Sequence, residues 1–324
     1  MVRFGAQQYG TGDCGHLQTI AYDGLDIRCE RVIAALGTSA QRCGSCRTLS
    51  GCYVGDAAGA CCRFGRGDGG RALGNGLALA CPARGVVVGG VLVLFRRLDS
   101  RFFAYYLMHD YAFSAQVNGA YPAALEARLA VFKQAVVEGL QRDVDEVLVV
   151  GHSSGAYLAV SVLADVLWTF QLVPNGPMLN FLSLGQVVPM VSFLPNAMRL
   201  RGDLQYLAGC DQMAWVDVSA LGDVCAFALC DPVAVSGVAP VSQYWPVVFS
   251  AAFSQTLSPA RWRRIRWRFL RVHFQYLCAF DCPNDYDYFQ ITAGPLTLRQ
   301  RLGSRASSPS CITEAVSKYT AVRP

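Results

Sequence analysis

Val147-Leu148-Val149-Val150 runs directly into Gly151-His152-Ser153-Ser154-Gly155. The second half of this stretch has the spacing G-x-S-x-G, found where a strand bends sharply into a helix and lifts a serine hydroxyl above a sheet. Glycine is needed on both sides because a Cβ in so tight a bend would strike the strand or the helix. The four aliphatic residues follow Asp145-Glu146 and have the unbroken apolar character of a strand covered on both faces. Behind the bend, Ala156 to Trp168 is mostly Ala, Leu and Val without Pro or Gly, as in a buried helix. Strand, bend and helix in this order predict an α/β fold.

Working outward, residues from about Pro122 to Gln141 place Leu125, Leu129, Phe132, Val136 and Leu140 on one helical face, with Pro122 in the first turn. After the elbow helix, Pro174-Asn175-Gly176-Pro177 breaks the chain, and Met178 to Val188 reads as the next strand. A short helix is expected around Gly202-Asp203-Leu204. Further strands are expected at Met213 to Val218 and Trp245 to Phe253. Ser258-Pro259 starts a helix with an N-cap serine and Pro at the first position. A last helix spans Leu296 to Leu302. The expected architecture is a mostly parallel sheet flanked by helices over residues 85–302. A Gly/Arg/Cys-rich segment of low order precedes it at 1–84, and a disordered tail follows at 303–324.

The composition supplies ample core material, 53% hydrophobic against 16% charged, and a formal charge of only +5. That charge does not call for a polyanionic partner, so no nucleic-acid role is expected. Lysine occurs only at Lys133 and Lys318, and the remaining basic residues are arginines. Arg261, Arg263, Arg264, Arg266, Arg268 and Arg271 crowd the helix opened by Ser258, interleaved with Trp262, Ile265, Trp267 and Phe269. Two readings stand open: an amphipathic helix buried along Trp262, Ile265, Phe269 and Val272, or a surface for anionic lipid or an anionic substrate.

The opening Met1-Val2-Arg3-Phe4-Gly5 lacks the apolar core of an export signal. Gly85 to Phe95 is a run of eleven residues without a polar side chain, too short for a membrane span. It is expected to be a buried strand, with a short membrane-associated segment as the alternative. Eight of the fourteen cysteines lie before residue 85. Cys43 and Cys46 with Cys61 and Cys62, and His16 nearby, faintly resemble a zinc site but lack the second C-x-x-C or H-x-H half. The expectation is no metal and a cytoplasmic location, with peripheral membrane contact left open.

A serine hydroxyl attacks poorly near neutral pH without a histidine to take its proton and a carboxylate to hold that histidine. Behind a G-x-S-x-G bend the chain order is Ser, acid, His. Of His16, His109, His152 and His273, only His273 lies far downstream of Ser153. His152 sits inside the bend, where the neighbouring hydroxyl points away from it. Asp223, in the loop after the Trp215 strand, is the preferred acid, and Asp217 and Asp231 remain alternatives. The backbone N–H of Ser154 is expected to stabilise an oxyanion, with Gly89-Gly90 as the candidate for a second donor.

On Gly151-His152-Ser153-Ser154-Gly155, the Trp215 to Val224 segment and His273-Phe274-Gln275-Tyr276, the chain resembles the α/β-hydrolase superfamily, specifically its bacterial lipase- or esterase-like members. The likeness covers roughly residues 100–302, and the first hundred residues depart from it. It implies Ser153, Asp223 and His273 as nucleophile, acid and base, an acyl ester or lipid-like substrate, and no cofactor. The alternative expectation is a hydrolase-fold protein that no longer catalyses and serves as a binding or membrane-peripheral module.

Overall fold

The computed structural model describes residues 31–36, 86–97 and 104–322. Its centre is a five-stranded sheet, all parallel, in the order β1 (Arg31–Leu36), β2 (Glu146–His152), β3 (Met178–Leu184), β4 (Ala214–Ser219), β5 (Val247–Ser250). Spatial order therefore equals chain order. The strands are mostly apolar because helices cover both faces of such a sheet, and β2, β3 and β4 are buried almost throughout.

The helices, in chain order, are α1 (86–97), α2 (Ala104–Ala115), α3 (Ala123–Leu140), α4 (Gly155–Thr169), α5 (Val188–Ser192), α6 (Met198–Ala208), α7 (Pro232–Val235), α8 (Phe253–Thr256), α9 (Pro259–Ile265), α10 (Phe269–His273), α11 (Tyr288–Ala293) and α12 (Leu298–Leu302). Helix α4 is apolar except at Ser161, Asp165 and Thr169, and accordingly packs against β2, α3 and α6. Pro122 takes the N-cap position of α3, one residue outside the first turn where it was expected.

Two buried polar groups lock the layers. Glu146 Oε1 accepts from Asn180 Nδ2 and from the backbone N–H of Leu298, both at 2.7 Å, while Asn180 Oδ1 accepts from Ala214 N at 2.9 Å. One side chain thus joins β2, β3 and the start of α12. Arg201 is fully buried. Its guanidinium donates to the carbonyls of Ser192, Leu194, Pro195 and Ala321, so the buried charge is met by oriented dipoles.

Several sequence expectations need correction. Residues 86–95 of the stretch expected as a buried strand lie in helix α1, with exposed valines and leucines. A short apolar run has no periodicity to separate the two states. The early segment is not without a strand, since 31–36 supplies β1 at the sheet edge. Strand β1 and residues 111–322 belong to one compact unit and helix α1 to another. The rest of the low-order expectation for 1–84, with Cys43, Cys46, Cys61, Cys62 and His16, lies outside the described residues.

Residues 303–322 are not a loose tail. Ser308 N donates to Val248 O (2.7 Å), Ile312 bridges Cys230, and Val316 and Ser317 both donate to Val235 O. The stretch is held by backbone pairing with β5, with residues 229–231 and with the end of α7, which needs few apolar side chains. The expected strands also end early: Gly185 turns the chain after β3, and Phe253 opens α8. Among the described residues, no helix is long and apolar enough to cross a membrane.

Candidate active site

The bend after β2 has the backbone its sequence requires. Ser153 has φ +58°, in the left-handed region that a non-glycine residue occupies only when its surroundings hold it there. Those surroundings are two hydrogen bonds, Ser153 N to Leu184 O and Ala156 N to Ser153 O, each 3.0 Å. A Cβ at Gly151 would stand 2.8 Å from Ala156 Cα and 2.9 Å from Gly155 O, so helix α4 can approach β2 this closely only over a glycine. The bend thus puts Ser153 at the N-terminus of a fifteen-residue helix, with Ser154 as its N-cap. Outward backbone N–H groups and the positive end of the helix favour developing negative charge there.

The loops after β4 and β5 bring the other two groups together. Asp223 follows β4 and His273 ends α10, and both are buried. His273 Nδ1 lies 2.8 Å from Asp223 Oδ2. A carboxylate there fixes the tautomer with the proton on Nδ1 and leaves Nε2 as the acceptor. Asp223 is itself held: Oδ2 also accepts from the Tyr276 hydroxyl (3.1 Å) and Oδ1 from Cys225 N (3.0 Å). His273 Nε2 is buried and has no hydrogen-bond partner, the Ser153 hydroxyl included. Such contacts are often loose without substrate and close when it binds.

The two alternative acids are occupied elsewhere. Asp217 lies on β4, fully buried, and accepts from Ser183 Oγ at 2.5 Å. Burial above all, with Asp231 adding, pushes its carboxyl up to about 8. Asp231 caps α7 through Val233 N and Ala234 N and accepts from Gln243 Nε2 at 2.6 Å. Neither bonds to His273. The candidate second oxyanion donors, Gly89 and Gly90, lie inside helix α1 and not in a loop after a strand, so they do not form the expected donor loop.

Three residues of the site escape a motif reading. Gly185 (φ +51°) follows β3; a Cβ there would stand 2.7 Å from Tyr276 Cε2, 3.2 Å from Asp223 Oδ2 and 3.3 Å from His273 Cε1. Tyr276 is fully buried, and its ring lies 4.9 Å from Phe253 while its hydroxyl steadies the acid. His152 places its ring 4.5 Å from that of His273, with Nε2 2.8 Å from the His273 carbonyl oxygen. A carbonyl only accepts, so His152 carries its proton on Nε2 and donates. Burial and the neighbouring His273 lower its pKa to about 4, which keeps the ring neutral near neutral pH. In the sequence, the only mark of these contacts is Gly185 itself, which interrupts the apolar run from Met178 to Val188.

Asp223, Cys225 and His273 also present possible metal ligands within 4.8 Å of one another. The fit is poor. Binding requires a thiolate, whereas burial and the nearby Asp223 push the Cys225 thiol up to about 11, and His273 Nδ1 is engaged with the carboxylate.

Comparison of the chain with protein-family models, with curated proteins and with solved structures finds no match.

Proposed function

We propose that this chain is a serine hydrolase that cleaves a carboxylic ester or a related acyl bond through an acyl-Ser153 intermediate. The observation that carries the reading is the buried Asp223–His273 pair standing behind the strained Ser153 bend. The chain order is nucleophile after β2, acid after β4 and base after β5.

In this reading His273 Nε2 takes the Ser153 hydroxyl proton as Oγ adds to the ester carbonyl. The oxyanion forms at the N-terminus of α4, where the Ser154 N–H is the expected donor. Collapse breaks the ester C–O bond, and His273 passes its proton to the departing alkoxide. Water then adds to the acyl carbon, giving its proton to Nε2. Release of the carboxylic acid returns that proton to Ser153. Asp223 stays ionised throughout and stabilises the imidazolium.

A fluorophosphonate probe should label the folded wild type and fail to label Ser153→Ala; an unlabelled wild type refutes the reading. The missing hydrogen bond between Ser153 and His273 Nε2 favours one rival, a hydrolase-like binding module without turnover. Equal ester turnover by wild type and Ser153→Ala would select that rival.

A further inference from the structure

We infer that the face carrying the Asp223–His273 pair docks on an anionic lipid surface, through the arginine-rich segment 261–271 and the apolar tips beside it. The inference deepens the hydrolase reading and rests on it for what docking would serve, namely presenting amphiphilic esters to Ser153.

Charge is the first support. Six arginines and no acidic residue lie between Ser258 and Gln275, so this one segment exceeds the formal +5 of the whole chain. Arg261 pairs with Asp281 at 3.0 Å. Arg263, Arg264, Arg266, Arg268 and Arg271 are exposed, and among the described residues none forms an ion pair. Unpaired like charges held this close repel one another, and an anionic surface relieves that repulsion.

The packing does not account for the aromatic residues between them. A single continuous amphipathic helix would bury Ile265, Phe269 and Val272 on one face. The segment instead breaks into α9 and α10, with Arg266–Arg268 between them. Ile265 and Val272 still reach the core, but the break leaves Phe269 51% exposed and Trp267 73% exposed, with the Arg266 guanidinium 5.3 Å from the Trp267 ring centre. Tryptophan beside cations is the side-chain pattern suited to a headgroup interface.

The acid-bearing loop, packed beside these helices, adds aliphatic tips. It presents Leu221 and Val224, 76% and 69% exposed, on either side of Asp223. Loop and helices meet directly: Asp223 bonds to His273, and a Cβ at Gly222 would stand 2.7 Å from the Trp262 ring. A single-stranded nucleic acid would also match arginines and aromatics, but it gains from stacking on rings. Leu221 and Val224 offer no ring face and suit an acyl layer.

The test uses full-length Ser153→Ala, so that binding is read without turnover. The protein is sedimented with vesicles of phosphatidylcholine alone and of phosphatidylcholine mixed with phosphatidylglycerol. Docking predicts retention on the mixed vesicles only, released by salt. Adding Arg266→Gln and Arg268→Gln should weaken retention about fivefold for each arginine removed, or about 25-fold for the pair. Trp267→Ser should weaken it as well. No retention, equal retention on both vesicles, or displacement from the mixed vesicles by single-stranded DNA overturns the inference. Turnover of a water-soluble short-chain ester by the wild type is scored separately. Its absence would remove the hydrolase reading while the vesicle result still stands.

Discussion

Replacing Gly185 by alanine tests the site at its tightest point. The added methyl would lie 2.7 Å from Tyr276 Cε2, about 0.7 Å inside an ordinary contact, on a backbone with φ +51°. A left-handed conformation costs an alanine roughly 1–2 kcal/mol, and forcing an extra carbon into a packed site adds about 1–3 kcal/mol. The expected destabilisation is therefore about 2–5 kcal/mol, read from the urea midpoint. The ring cannot yield without moving its hydroxyl, which lies 3.1 Å from Asp223 Oδ2. The methyl also presses on Asp223 Oδ2 and His273 Cε1 directly. A displacement of about 1 Å in the catalytic geometry costs about 100-fold in rate, so kcat/KM for a short-chain ester should fall by that order. Gly237→Ala is the control. It has a similar φ, +71°, but its methyl meets the Thr320 side chain at 2.8 Å, away from the site. The control should lose stability without a matching loss of kcat/KM. If Gly185→Ala keeps both wild-type stability and wild-type rate, the packing argument for the site is wrong.

Other outcomes follow from buried polar groups. The Asp217 carboxyl is raised to about 8 by burial, so the folded protein keeps a proton that the unfolded chain loses above about 3.9. This contribution is complete below pH 3.9 and is lost as pH rises towards 8. Asp217→Asn keeps the acceptor for Ser183 without titrating, and should gain on the wild type by up to about 4 kcal/mol between pH 5 and 8. A constant difference in urea midpoints across that range would refute the assignment. His152→Phe keeps a ring against His273 but removes the 2.8 Å bond to its carbonyl; kcat should drop roughly tenfold by the geometric argument above. The acid limb of the pH profile should stay in place, because His152 is neutral above about pH 4. Truncation after Gly303 removes the bonds along Val248 and the Ala321 acceptor of Arg201. It should cost about 1–3 kcal/mol for the Arg201 Nε–H left without its acceptor and expose the β5 edge to self-association, measurable by light scattering.

The legible part of this protein was its local chemistry. The G-x-S-x-G bend, the helix behind it, the four strands from Glu146 onward and the serine cap of Ser258 follow from side-chain period, from the size of glycine and from hydroxyl capping. These effects act over a few residues, so the order of letters suffices to see them. The scarcity of histidine also singled out His273 before any geometry was known. Helix α1 and the break between α9 and α10 were less legible, since a short apolar run and a run of alternating Arg and aromatic residues fit more than one backbone.

Tertiary structure decided which of three aspartates meets that histidine. The sequence preferred Asp223 but left Asp217 and Asp231 open, and Ser183 and the α7 N-terminus engage those two. Only Asp223 is carried by its loop to 2.8 Å from His273 Nδ1. The need for glycine at 185, the Tyr276 hydroxyl on the acid and the His152 bond to the His273 carbonyl have the same origin. Each joins segments that a parallel sheet aligns at the ends of separate strands, and no rule of neighbouring residues encodes a meeting between positions 38 to 121 apart.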